Sequence, residues 1–192
     1  MKAEDVADVI DHMPAHKAAD LLVTLGPAYA QKMFPLIGSV HAQQIQALLS
    51  YPEHSTGAFM TIDYIAVSAK STIEEVFKKV QTTEQLPEFL VYFYVLENEF
   101  SNKLVGIMSL YDLYGNTTRS RVETIMKSRL IVAHPHDPIK ESLKKMYRYN
   151  ISAVPVVNAE NKLLGIVTFR DAVSIYLPRR WKLRFRQLFS NA

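Results

Sequence analysis

Cysteine is absent from all 192 residues. That excludes disulfides, thiolate metal sites and cysteine nucleophiles together, and it fits a reducing compartment. Long apolar runs are absent too, and without about 18 consecutive uncharged apolar residues nothing in the sequence reads as a membrane span. The stretch Met1 to Pro14 carries Glu4, Asp5, Asp8 and Asp11, where a secretory leader needs a basic start and an apolar core. Catalytic signatures are missing as well: there is no nucleophile elbow, P-loop, H-E-x-x-H or G-x-G-x-x-G after a strand. The chain is therefore read as something other than an enzyme.

What is present suffices for a folded core. Hydrophobic residues make up 48% of the chain and charged ones 21%, a globular balance that allows one or two domains. The net charge of +3 is unevenly placed. The first twenty residues are acidic, whereas Arg179, Arg180, Lys182, Arg184 and Arg186 crowd the end. Positive charge thus belongs to a tail and not to the body, which argues against nucleic acid as a partner.

Residues 1–52 read as short helices separated by stops at Pro14, Gly26-Pro27, Gly38-Ser39 and Pro52. Apolar positions recur at helical spacing: Val6, Ile10 and Met13; Leu21, Leu22 and Leu25; Met33, Phe34 and Ile37; Ile45, Leu48 and Leu49. Helices this short are marginal alone and must stack. Residues 178–192 read as a basic helix with Trp181, Phe185 and Leu188 on one face. That tail suits either a connection at a membrane surface or a dimer-packing helix.

Between them lies an internal repeat. At an offset of 66, Met60 meets Met126, and Ile65-Ala66-Val67 lies over Ile131-Val132-Ala133. Past a length change the offset becomes 59, and Asn102 to Asp112 lies over Asn161 to Asp171. Each copy, 56–117 and 118–177, reads as strand, helix, strand, strand, helix. Ser71 with Glu74 reads as a capping box in the first copy, and Asp137 with Pro138 as N-cap and first helical residue in the second. Two such units should face each other across a pseudo-twofold axis, with Gly106 and Gly165 in equivalent places.

The doubled G-I-x-[ST]-x-x-D block and the Ala153-Val154-Pro155-Val156-Val157 segment resemble the CBS domain, which works as an intramolecular pair. A narrower resemblance covers Tyr51-Pro52-Glu53-His54-Ser55-Thr56-Gly57-Ala58-Phe59-Met60-Thr61. It is similar to the junction of the MgtE magnesium transporter family, which runs near Y-P-E-D-S-A-G-x-x-M-T. His54 departs from that pattern, as does Asn158, which stands where the family has Asp. The implied fold class is α/β in the α+β sense: a tandem CBS pair of two βαββα units, preceded by a short all-α superhelical segment. The implied function is a cytosolic, non-catalytic regulatory region at the inner face of the membrane, sensing Mg²⁺ or nucleotide. It would dimerise through its CBS pair and act on a membrane channel domain in the same or another chain. A free-standing CBS-pair sensor of adenine nucleotides, regulating a separate protein, is the alternative.

The resemblance also implies sites. Thr168 and Asp171 would take the ribose of ATP or AMP, with Val154, Pro155 and Ile131 forming a slot for adenine. Ser109 and Asp112 are the same pair in the first copy, beside bulky aromatics at 92–94. Helix capping is the plain reading of both aspartates. For a regulatory Mg²⁺, Asp63, Glu53, Glu160 and Asp11 are the candidate ligands, against a solvated acidic face as the plain reading. His134 and His136 stand two apart with no evident third metal ligand, which favours a loop role.

Overall fold

The computed structural model describes residues 3–174. The basic tail expected at 178–192 lies outside them, as does the end of the second repeat.

The stops fall where the chain chemistry puts them. Helix α1 (Ala3–Asp11) ends before Pro14, and α2 (Ala15–Leu25) ends at Gly26, whose φ of 91° suits a residue without a side chain. Pro27 opens α3 (Pro27–Met33), where its missing N–H costs nothing. A single 3₁₀ turn, Phe34–Leu36, contains Pro35 and was not expected. Helix α4 (Ser39–Leu49) follows Gly38, whose N–H donates to both carboxylate oxygens of Asp11 at 2.9 and 3.1 Å. One face differs from expectation. Helix α2 buries Ala15, Ala18, Ala19 and Leu22, while Leu21 is only half-buried and Leu25 is exposed. Small residues let α2 approach its neighbours closely, so alanine forms the seam that leucine was expected to form.

The first repeat has a three-stranded sheet. Strand β1 (Ile65–Ser68) runs parallel to β2 (Tyr92–Leu96), with α5 (Ile73–Thr82) as the crossover, and β2 runs antiparallel to β3 (Leu104–Ser109). Helix α6 (Leu110–Tyr114) follows directly, and α7 (Val122–Ile125) leads to the second repeat. There α8 (Ile139–Tyr149) precedes β4 (Ala153–Val157), β5 (Leu163–Thr168) and α9 (Phe169–Val173).

The expected first strand of the second repeat shrinks to one parallel bridge, Ala133 with Val156. Ala133 donates to the Pro155 carbonyl at 2.9 Å and accepts from Val157 at 2.9 Å. The next rung of a parallel ladder would take an N–H from residue 155 to the Ile131 carbonyl, and proline has none. The expected caps also shift. Thr72 with Glu75, not Ser71 with Glu74, forms the capping box of α5. Asp137 does not cap α8; its carboxylate accepts from the His134 N–H at 3.0 Å and pairs with Lys145 at 3.6 Å.

The pseudo-twofold relation is explicit. A Cβ on Gly106 would run into Met126, and one on Gly165 would meet Met60 and the Thr61 carbonyl. Met60 and Met126 are themselves equivalent, so each repeat's strand glycine receives the lead-in methionine of the other. The adjoining bridges match: Thr61 pairs with Ile166, and Ile107 pairs with Lys127. Register shifts also recur in step, between Val95 and Leu96 and between Val156 and Val157.

Three apolar clusters result among the described residues. One is the first repeat's own core, around Ile73, Phe93 and Met108. A second, with Tyr94, Leu104, Val157, Leu163 and Ile166, joins the two repeats. The third merges the helical segment with the second repeat, bringing Ile10, Leu22 and Ile45 into one cluster with Met146, Val154, Val167 and Ala172. The helices are thus docked on repeat two.

Candidate functional site

In the second repeat Thr168 ends β5 opposite Ala153, one residue along the adjoining strand from Val154 and two from Pro155. The Thr168 hydroxyl donates to Asp171 at 2.5 Å and accepts the Asp171 N–H at 3.2 Å. Thr168, Asp171, Val154 and Pro155 are therefore close neighbours, with Val154, Pro155 and Thr168 buried. Ile131, two residues before the Ala133 bridge, lines a groove with Lys144, Lys145 and Arg148. The cap of α9 is Thr168, not Asp171 as expected; the Asp171 carboxylate takes the Thr168 hydroxyl, and its partial exposure leaves an edge that a diol can reach.

In the first repeat Ser109 and Asp112 form a full capping box. Ser109 donates from both N–H and hydroxyl to one Asp112 oxygen, at 2.8 and 2.6 Å. Burial opposes ionisation of Asp112, but those bonds and Lys127 at 4.0 Å outweigh it and hold its pKa below the ordinary value. Tyr94 occupies the position of Pro155. It is fully buried, meets Tyr64 edge-on at 5.6 Å, and has its phenol pKa driven up by burial. Where repeat two has the small Pro155, repeat one has bulky rings.

Two grooves of about 340 and 370 Å³ flank the lead strands at matching positions, one along Tyr64 to Ala66 and one along Leu130 to Val132. In each, a lysine closes the floor: Lys79 donates to the Ala66 carbonyl at 2.8 Å, and Lys145 to the Val132 carbonyl at 2.9 Å. The first groove carries Asp63; the second carries Lys144, Lys145 and Arg148 with Glu141.

The four candidate metal acids stand apart. Asp11 is taken by Gly38. Glu53 is exposed in the turn after Pro52, and Glu160 is exposed at the β4–β5 hairpin. Asp63 accepts from the Glu88 N–H at 3.4 Å. Among the described residues no group of three or more His, Cys, Asp or Glu is placed to hold a metal ion. Asn158 has a turn role, its side-chain oxygen accepting from the N–H groups of Glu160 and Lys162. His134 bonds the Val157 carbonyl and His136 meets the Tyr51 ring, as loop residues do.

Sequence reasoning missed a cluster beside Asp171. Glu88 takes Lys17 of α2 at 2.5 Å and Arg170 of α9 at 2.8 Å. Hydrogen bonds from Arg170 and then Lys17 lower its pKa to about 2. His16, next to Lys17, buries its Nδ1 without a partner among the described residues, close to Asp171 and Asp63. A signal for Glu88 was available: the loop 83–91 is longer than its counterpart 150–152, and the extra residues carry it.

Known proteins share this fold. The CBS domain family model matches residues 122–177. The magnesium transporter MgtE of Thermus thermophilus is 30% identical over 168 residues, covering 88% of this chain and 36% of that protein. MgtE of Enterococcus faecalis is 31% identical, covering 71% of this chain and 30% of that protein. The chain thus spans about a third of the length of these curated relatives. A crystal structure of the soluble part of a magnesium transporter superposes with a TM-score of 0.86 at 30% identity, covering 92% of this chain and 68% of the other. The cytosolic domain of the Mg²⁺ channel MgtE in complex with ATP gives 0.70 at 26% identity, covering 91% and 80%.

Proposed function

This chain belongs to the MgtE family, as a regulatory cytosolic region with a tandem CBS fold, and from that premise we propose that it senses an adenine nucleotide at its second repeat. The observation that carries the reading is the Thr168–Asp171 pair standing next to the Val154-Pro155 strand. Asp171 and Thr168 suit the two hydroxyls of a ribose. In this reading the Ile131 carbonyl, which Pro155 cannot serve, takes an adenine amino group and Pro155 gives the apolar wall, while Val154 packs into the core behind it. A relative of this fold is known in complex with ATP. The aromatic filling at Tyr94 argues for one site per chain.

Mg²⁺ fits differently. It keeps several waters and takes one or two carboxylates at a time. Acids on separate elements, such as Asp63, Glu53, Glu160 and Asp11, suit an ion that bridges surfaces of two chains or two arrangements better than one preformed cage. In this reading ligand shifts the population of two arrangements of the helical segment and the CBS pair, and its effect is limited to its differential affinity for them. The region acts in the cytoplasm at the inner membrane face, as a homodimer, on a channel domain, and catalyses nothing.

Calorimetric titration with ATP, AMP and MgCl₂ separately tests this. The reading expects heat with a nucleotide that Asp171→Asn abolishes and Asp112→Asn leaves in place. Nucleotide heat that survives Asp171→Asn removes the proposed site. Heat with MgCl₂ alone would leave cation sensing as the function.

A further inference from the structure

Glu88 uses both carboxylate oxygens, one on Lys17 and one on Arg170. Those partners belong to different units, the helical segment and the second repeat, and Glu88 itself sits in the long loop of the first. Arg170 stands between Thr168 and Asp171 in the chain, and its Nε lies 3.9 Å from the Asp171 carboxylate. A guanidinium so placed is what the phosphate end of a nucleotide would seek once its ribose is on Asp171. That guanidinium is already taken by an anion of the protein's own.

We propose that Glu88 is a built-in competitor for nucleotide phosphate: phosphate displaces its carboxylate from Arg170 and Lys17 and so unfastens the first repeat's loop from the helical segment. The inference rests on the nucleotide site proposed above. It supplies that site with a switch, because the same two cations serve the latch when the cleft is empty and the ligand when it is full. Lys17 then passes from an intramolecular partner to a ligand contact, and only phosphorylated ligands trip the change.

Titration of the full chain with ATP and with adenosine tests it, using Glu88→Gln and Lys17→Met. Removing the competing charge should tighten ATP by about threefold or more, the scale of one half-exposed ion pair, and should leave adenosine unchanged. Lys17→Met should weaken ATP. Opposite signs are the signature, since a purely structural tie would move both variants the same way. Equal ATP affinity in Glu88→Gln and the parent chain, or an equal gain for adenosine, overturns the latch while the nucleotide site stands. ATP binding unaffected by Asp171→Asn overturns the site and the latch with it.

Discussion

Lys103 forms an antiparallel bridge with Lys162, the residue that occupies its own position in the other repeat. A residue can pair with its counterpart only on the symmetry axis, so the pseudo-twofold passes between these two backbones. Leu104 donates to the Asn161 carbonyl at 2.9 Å and Leu163 to the Asn102 carbonyl at 2.8 Å, the same bond twice. Two like charges facing each other are unfavourable, and Glu97 at 3.4 Å from Lys103 offsets part of that cost. The repeats are therefore joined by backbone, with side chains accommodated afterwards.

The two glycines on either side of this axis should not respond alike to a methyl group. At Gly106 the obstacle is the Met126 side chain, which can swing away. At Gly165 an added Cβ would sit 2.8 Å from the Thr61 carbonyl oxygen, which the bridge to Ile166 holds in place. Gly165→Ala should cost about 2–3 kcal/mol and Gly106→Ala about 1 kcal/mol or less, within the range for overpacking. Urea denaturation of both variants measures the gap. Equal costs would mean that the lead-in backbone yields as easily as a methionine.

Thr56 and Ser142 bury their hydroxyls completely and meet at 2.9 Å, fastening the junction segment to α8. Ser142→Ala should destabilise by about 1–3 kcal/mol, because it strands a buried hydroxyl. Adding Thr56→Val should restore part of that loss. A double-mutant cycle in urea reads the coupling, and additive losses would show that the pair is not a bond of consequence.

Much of this architecture is legible in the sequence, because duplication writes it twice. The block from Asn102 to Asp112 over Asn161 to Asp171 locates both hairpins and both caps, and the glycine stops locate the helices. What escapes is physically specific. Ser71-Thr72-Ile73-Glu74-Glu75 holds two overlapping capping boxes, and only tertiary register selects Thr72. The single bridge of Ala133 with Val156 follows from the neighbouring Pro155 having no N–H to extend the ladder, a relation across strands that linear reading does not see. The closeness of Thr168 and Asp171 to the Val154-Pro155 strand is foreseeable from the repeat. Lys17 with Glu88 and Arg170 is not, since the partners lie 71 and 82 residues apart and belong to three units.

His16 should make the docked helices sensitive to mild acid. Burial lowers its pKa, with Lys17 acting in the same sense and Asp171, Asp20 and Asp63 opposing. A base whose folded pKa lies below its unfolded value of 6.5 is neutral in the fold while the unfolded chain still takes the proton. Its contribution is complete above that value and falls as pH drops through it. Urea midpoints between about pH 7.5 and pH 5.5 should decline in the parent chain. His16→Leu should flatten the decline, and a slope that persists in that variant assigns it to another group.

Glu88 acts lower on the pH scale with its own signature. Its carboxyl is held at about 2 against an ordinary 4.5, chiefly by Arg170 and then Lys17. A depressed acid lends stability above its unfolded pKa and loses it as pH falls through the folded one, here from 4.5 towards 2. Half-exposed partners are screened by salt, so the contribution should also shrink in high salt at neutral pH. Hydrogen exchange along α2 reads both effects, because Lys17 ties that helix to the loop. Protection should fall with acid and with salt in the parent chain and be insensitive to both in Glu88→Gln. If α2 keeps the same acid and salt dependence without the carboxylate, the apolar seam of Ala15, Ala18, Ala19 and Leu22 alone holds the helix, and charge does not govern its docking.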